Sequence, residues 1–378
     1  MLAITWRAVL GWAVVIGLRP VAQAQTSPPP VLTVVKAEPA PEWSAKFTGK
    51  KGWIGGDGAY TVVLKDQRVL WLFGDTLLGS VKDGGRPGAV MVNNTLGVQR
   101  GEGKDAAIRF IAGKAKDGKP TAIFVPQDGK GWFWQQAAVR VGDRLFIFLT
   151  QIDKGKDPGV LGFRHVGQWL AVIENPDAEP SRWRTKQLPV PFARFVRSQV
   201  QSWGSAVLVE GDMLYIYGYQ EKSKAIGTRK LLVARVPARK LADFTAWRIH
   251  TADGWSAKAE AATPLASELA TEFSVTRSPS GKGYLLVYTE NGLGDRIVCR
   301  CSLAPAGPWS APVLLYHCPE MVRDRGLFCY GAKAHSWAVK DKQVLISYCV
   351  NTWEFARLFR DEKLYRPRFL RVQFERVK

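Results

Sequence analysis

The chain has 378 residues and a formal net charge of +20, with 15 Trp, 10 Tyr and 17 Phe beside 36 Gly and 22 Pro. That length can bury a large core, and the aromatic, Gly and Pro content with no sustained 3.6-residue apolar period excludes a helical bundle and describes strands and turns. The basic excess is scattered through Lys50-Lys51, Lys130, Lys154, Lys156, Lys222–Lys230 and Arg357–Lys378, without a nucleic-acid fold signature. This points to no nucleic-acid role, and to either an anionic polysaccharide or cell-envelope polymer as partner or a generic solvated basic surface.

In chain order, the first element is a secretory signal over 1–24. Arg7 precedes the apolar run Ala8–Leu18, and Ala22-Gln23-Ala24 offers a small-x-small cleavage site. The run is too short to span a bilayer comfortably. We therefore expect a secreted or periplasmic protein with no integral membrane span after signal removal. Residues 25–45 read as a Pro-rich tether opening on TSPPPV, and 46–378 as one folded domain.

The next element is a hairpin, GGDGAYTVVL–KDQR–VLWLFGDT, with the polar turn Lys65–Arg68. Counting outward from a Leu64–Val69 pair sets position 57 opposite position 76. Asp57 and Asp75 then share the open end of the hairpin, roughly 5–8 Å apart by strand spacing. Two acids held so close are what glycosidic-bond chemistry uses, and solvated turn Asp residues are the ordinary alternative.

The hairpin recurs as VGDRLFIFLTQ, EGDMLYIYGYQ, GKGYLLVYTEN and DKQVLISYCVNT. Leu70, Leu145, Leu214, Leu285 and Leu345 are equivalent anchors on second strands, each preceded by a turn and a first strand (AAVRV, SAVLV, FSVTR, AHSWAV in the later copies). Five such modules predict an all-β fold and a single-domain five-bladed β-propeller, and we expect a monomer. Thirteen residues before the anchors lie Asp57, Trp132, Gln201, Glu272 and Ala332, positions that ring the central channel. Leu241–Trp247 and Phe192–Gln201 are the segments that suit a helical turn.

All five Cys lie at or beyond Cys299. Cys318 and Cys329 flank a loop and suit a disulfide in an oxidising compartment. A zinc site from Cys299, Cys301, His317 and Cys318 lacks CxxC spacing, so no metal and no cofactor is expected. A calcium ion in the central channel is compatible with a propeller but has no ligand set behind it.

GGDGAYTVVLKDQRVLWLFGDT, VNNT, VARVPARKLADFTAW, TEFSV, APAGPWSAPVLLY and YGAKAHSW with LISYCVNT together resemble the family known as domain of unknown function 4185, from about Trp53 to Thr352. The resemblance implies a five-bladed propeller related to arabinanase and levansucrase-type glycosidases, some of whose members are endo-acting D-arabinan hydrolases. It carries the family's acids onto Asp57, Asp75 and Glu272. Two departures stand out: Trp132-Phe133-Trp134-Gln135-Gln136 has no acid where the second blade of the family has one, and Ser336-Trp337 follows His335 where Pro-Glu is more usual.

Glycoside hydrolysis needs one protonated carboxyl and one ionised carboxylate. Strand position suggests Asp57 as nucleophile or base, Glu272 as general acid across the channel, and Asp75 as the residue that orients the sugar. Trp132, Trp134 and Trp203 are candidates to stack on sugar rings, Asn94 and His335 to bond hydroxyls, and Arg277 and Lys333 to meet an anionic substrate; core packing, turn and structural roles are the alternatives. The sequence thus reads as a secreted glycoside hydrolase on a furanoside-containing or anionic polysaccharide. The alternatives are a non-catalytic carbohydrate-binding propeller and an envelope-associated binding platform.

Overall fold

The computed structural model describes residues 32–156, 159, 161–196, 199–222 and 227–375. The signal segment 1–24 and the first residues of the Pro-rich stretch lie outside the described residues. Among the described residues the chain is built almost wholly of β-strands, with a few helical turns of three to five residues. None of its helices is long and apolar enough to cross a membrane.

Five antiparallel sheets of four or more strands succeed one another. Each opens on a strand from one repeat: Tyr60–Val63, Trp132–Val141, Gln199–Glu210, Phe273–Arg277 and Leu327–Ala334. The second strands are Val69–Phe73, Arg144–Lys154, Met213–Glu221, Tyr284–Thr289 and Gln343–Thr352. Leu70, Leu145, Leu214 and Leu285 on them have no exposed surface, and Leu345 is 4% exposed. These second strands are nearly continuous apolar runs because both their faces are covered. Leu70 packs with Leu145 and Ile147 toward the second sheet, whereas Trp71, one residue on, packs with Phe47 and Phe369 toward the fifth.

The core accordingly divides into five apolar clusters, one between each pair of consecutive sheets. Leu214 and Ile216 meet Phe146 and Leu170, Tyr217 and Leu231 meet Phe273 and Leu286, and Val287 and Leu285 meet Ile346 and Val350. The fifth cluster joins the last sheet to the first. The five first strands all contribute to one cavity, lined among others by Thr61, Ala138, Ser205, Ser274 and His335.

The N-terminal stretch departs from the tether reading. Val34–Pro39 is a strand that pairs antiparallel with Pro367–Phe374, the last strand of the chain, and so completes the fifth sheet. Pro41–Ser44 and Ala45–Phe47 then turn Trp43 and Phe47 into the cluster between the last and first sheets. The reason is pairing: the outer edge of Pro367–Phe374 would otherwise be open.

Three local expectations also change. AHSWAV is a strand only to Ala334, and Ser336–Ala338 is a 3₁₀ turn. Phe244–Ala246 within LADFTAW is helical as expected, with the Asp243 carboxylate capping Thr245, but Arg194–Val196 is a strand. The first hairpin closes one residue tighter than Leu64–Val69: Val63 pairs with Val69, and Leu64 N–H donates to Arg68 O at 2.8 Å. Gln67, with φ 61°, supplies the left-handed position that a three-residue loop requires.

One buried cation ties the first sheet's small neighbouring sheet to the C-terminal segment. Arg86 has no exposed surface, and its guanidinium donates to the carbonyls of Ile54, Leu358, Asp361, Glu362 and Leu364. Burial, then the charge of Arg366, lowers its pKa to about 10, so it remains charged at neutral pH. Arg86→Met leaves those acceptors without a donor, and each unsatisfied buried group costs about 1–3 kcal/mol. We expect a loss of at least about 3 kcal/mol, read as a lower denaturant midpoint; an unchanged midpoint would show that water replaces the guanidinium at no cost.

Candidate active site

The tighter hairpin register places Asp57 opposite Asp75. Asp57 N–H donates to Asp75 O at 3.4 Å, and Gly74 N–H donates to Asp57 O at 3.0 Å. Asp57 precedes the first strand and Asp75 follows the second, both residues half-buried and neither among those that line the shared cavity. Gly74 is required there, because a Cβ on it would stand 2.5 Å from Asp57 Oδ1.

Asp57 Oδ2 accepts two phenolic hydroxyls, from Tyr330 at 2.6 Å and Tyr365 at 3.0 Å. Tyr330 precedes a bulge in the first strand of the fifth sheet, where the register shifts between Tyr330 and Lys333. Tyr365 has a left-handed backbone, φ 58°, which costs a bulky residue of order 1 kcal/mol or more. Its carbonyl accepts from Gly56 N–H at 2.7 Å, so the strained residue is clamped to the strand that leads into Asp57.

Asp57 is pushed up to about 8, by burial first and then by the negative charges of Asp75 and Glu272, against the opposing pull of the two hydroxyls. Asp75 is raised to about 6 by burial, with the indole of Trp134 and the amide of Asn93 pulling it back. Those donors meet Asp75 Oδ1 at 2.8 and 3.1 Å.

Glu272 stands immediately before the first strand of the fourth sheet, with its side chain 24% exposed. Its carboxylate pairs at 2.6 Å with Lys333 Nζ, whose side chain is 2% exposed. Lys333 also donates to Gly331 O at 2.7 Å and lies 4.4 Å from the centre of the Tyr60 ring. The cation is thus spoken for by Glu272, a carbonyl and an aromatic face, and is not free to receive an anionic sugar.

The other sequence candidates divide. Trp132 and Trp134 are half-buried on one face of the second sheet's first strand, with ring centres 6.5 Å apart. Trp134 contacts Phe163 edge-on at 4.6 Å, and Phe163 stacks with His165 at 5.9 Å. His335 lines the shared cavity but is buried, with its ring nitrogens bonded to Thr61 Oγ1 and Ser347 Oγ, both at 2.9 Å. Burial and the charge of Lys333 depress it to about 3, so it is a neutral tie between the fifth and first sheets.

Three candidates are placed away from the acids. Trp203 has no exposed surface and packs in the core between the second and third sheets, against Phe192 at 5.9 Å. Arg277 ends the strand that Glu272 begins, so it lies at the opposite end of that strand, paired with Glu210 at 2.5 Å. Asn94 is fully buried, and its side chain joins the backbone of Phe124 and Phe133 through three hydrogen bonds of 2.8–2.9 Å. In the VNNT motif it is Asn93, not Asn94, that reaches an acid.

Tyr330, Tyr365, Asn93 and His165 are site residues that sequence reasoning missed. Asn93 had no strand-alternation signal, since Asn93 and Asn94 lie between the strands Val90–Val92 and Thr95–Arg100. Tyr365 had none, since it arrives from the far end of the chain. The Trp132–Gln136 stretch, which lacks an acid, supplies instead the indole donor to Asp75.

Beyond the acids, the thiols of Cys318 and Cys329 and the carboxylate of Glu320 bring their ligand-capable atoms within 4.8 Å of one another. All five cysteines are buried. Cys299 and Cys301 share one strand of the fourth sheet, as the alternation implies.

A crystal structure of a putative hydrolase from Bacteroides ovatus is 20% identical to this chain, with a TM-score of 0.71 over 90% of this chain and 93% of that one. The two share a fold. A GH43_1 enzyme from Xanthomonas citri, solved with xylose, aligns at 14% identity and a TM-score of 0.45 over 90% of both chains. An alpha-L-arabinofuranosidase from Lactobacillus brevis aligns at 13% and 0.44, over 84% of this chain and 90% of that one. No curated protein matches the chain in sequence. A family model described as domain of unknown function DUF5005 matches residues 41–374. Membership in domain of unknown function 4185, which the motifs resemble, is not shown; the chain belongs to the DUF5005 family.

Proposed function

We propose that the protein is a glycoside hydrolase that acts on a furanoside-containing or anionic polysaccharide, exported as a monomer by the segment 1–24 to the periplasm or the cell exterior. The five sheets are the blades of a five-bladed β-propeller over 46–378, closed by Val34–Pro39, and the acids stand at one mouth of its channel. The observation that carries the reading is the pairing of unlike carboxyls. Asp57 is held protonated at neutral pH, with a pKa of about 8, and Glu272 is ion-paired with Lys333 at 2.6 Å. A protonated carboxyl facing a carboxylate in a different environment is how an active site runs acid and base chemistry together.

The roles expected from strand position are exchanged in this reading. Asp57 is the general acid that gives its proton to the glycosidic oxygen as the bond to the anomeric carbon breaks. Oδ2 is occupied by two hydroxyl donors, so Oδ1 carries the proton toward the substrate. Glu272 is the base or nucleophile on the anomeric carbon. Asp75 keeps its neighbour protonated by its charge, and holds the Trp134 indole in place. The positive charge that develops on the sugar ring is stabilised by the carboxylates beneath it.

Incubation of the purified protein with a polysaccharide panel, including arabinans and uronic-acid polymers, should release new reducing ends from at least one member. An Asp57→Asn variant should release none above background. A second reading, a non-catalytic carbohydrate-binding propeller, is favoured by one observation, the absence of an acid in Trp132–Gln136. It predicts retention of a polymer on the protein with no release of ends by either form.

A further inference from the structure

A pocket of about 250 Å³ lies beside the acids, between the edge strand Val90–Val92 and the segment 120–126. Met91, Val92, Asn93, Thr121, Phe124 and Trp132 are among its walls. Two features join it to the acid pair. Asn93 both lines the pocket and donates to Asp75, and Trp132 stands two residues before the Trp134 that makes the second bond to Asp75. The walls are built rather than incidental, since the Asn94 side chain pins Phe124 and Phe133 on either side of them.

Two further features say what it takes. None of its lining residues is charged. The indole of Trp132 is half-buried with its Nε1 shielded from solvent, so the part of this side chain that lines the pocket is its apolar ring and not its N–H. Aromatic and apolar walls with a few fixed polar groups are the usual make-up of a small-molecule site, and an aromatic face beside an amide suits the C–H face and hydroxyls of a sugar.

Resting on the hydrolase reading, we propose that this pocket is a subsite for one neutral sugar ring of the polysaccharide, adjoining the bond held over Asp57. Trp132 supplies the stacking face, and Asn93 links the subsite to Asp75. The pocket offers no cation to a uronate carboxylate, so whatever anionic sugars the polymer carries are bound elsewhere on the basic surface.

The test is calorimetric titration of the full-length Asp57→Asn protein, which holds substrate without turning it over. The titrants are arabino- and xylo-oligosaccharides and galacturonate oligomers of equal length. At least one neutral series should bind more tightly than the uronates. Trp132→Ala should weaken that binding at least tenfold, and Trp132→Phe, which keeps an aromatic face, by a smaller factor. Thr121→Lys, placed on the rim, keeps the question open to test should Trp132→Ala fail to fold, and should weaken neutral binding. Preference for the uronates, failure of every neutral series to bind, or affinity indifferent to Trp132 and Thr121 would each overturn the subsite. Hydrolysis that depends on Asp57 but not on Trp132 removes the subsite alone. Trp132-dependent binding without hydrolysis by the unmodified protein removes the hydrolase and keeps the subsite.

Discussion

Asp57→Asn should lower turnover of a natural polysaccharide by roughly 10²–10⁴-fold, the usual contribution of a positioned general acid, while affinity stays within a few-fold. The amide keeps the size of the carboxyl and can still accept from Tyr330 and Tyr365, so the lost interaction is one made chiefly in the transition state. The same variant should retain most of its activity on aryl glycosides whose leaving group departs without protonation. Glu272→Gln should lose activity on both kinds of substrate, because the attack on the anomeric carbon is required whatever leaves. The contrast decides between the two assignments. If Glu272→Gln is the variant spared on activated substrates, the order read from strand position is the right one, and the protonated state of Asp57 serves another purpose. Equal small losses in both, carried by affinity rather than turnover, would mean that the residues only hold sugar.

The fold was legible because its signal is repeated. The second strands are buried on both faces, so Leu70, Leu145, Leu214, Leu285 and Leu345 sit in apolar runs that any reading of the chain detects, and all five lie within strands. The closing strand Val34–Pro39 was not legible: its polar and apolar residues show a weak pattern (VVKAEP) beside a Pro-rich segment, and its strand state comes from the partner Pro367–Phe374. Asp57 and Asp75 were picked out by the hairpin register, and Glu272 by its place thirteen residues before Leu285 and by the family resemblance. The raised pKa of Asp57 was not legible, since burial sets it first and the hydroxyls that oppose it, on Tyr330 and Tyr365, come from 273 and 308 residues away. Trp203 and Arg277 show the converse failure. A residue type suited to sugar says nothing of which face of its strand, or which end, it occupies.

The alkaline limb of the pH profile is the sharper test of Asp57. An acid with a pKa of about 8 is active below that pH, so activity should fall by about tenfold per unit as the pH rises through 8 and the carboxyl loses its proton. Two neighbours should move that limb in opposite directions. Tyr330→Phe removes a hydroxyl that stabilises the ionised form, so the pKa rises and the limb moves to higher pH. A hydrogen bond to a charged group is worth about 1.5–3 kcal/mol, and about 1.4 kcal/mol corresponds to one pH unit, so the movement should be about one to two units. Asp75→Asn removes a negative charge that opposes ionisation and keeps an oxygen for Trp134 and Asn93, so the limb moves to lower pH. A structural role for either residue would lower activity at every pH and leave the limb where it was. Movement of both limbs in the same direction, or of neither, would assign the limb to a group other than Asp57 and remove it as the acid.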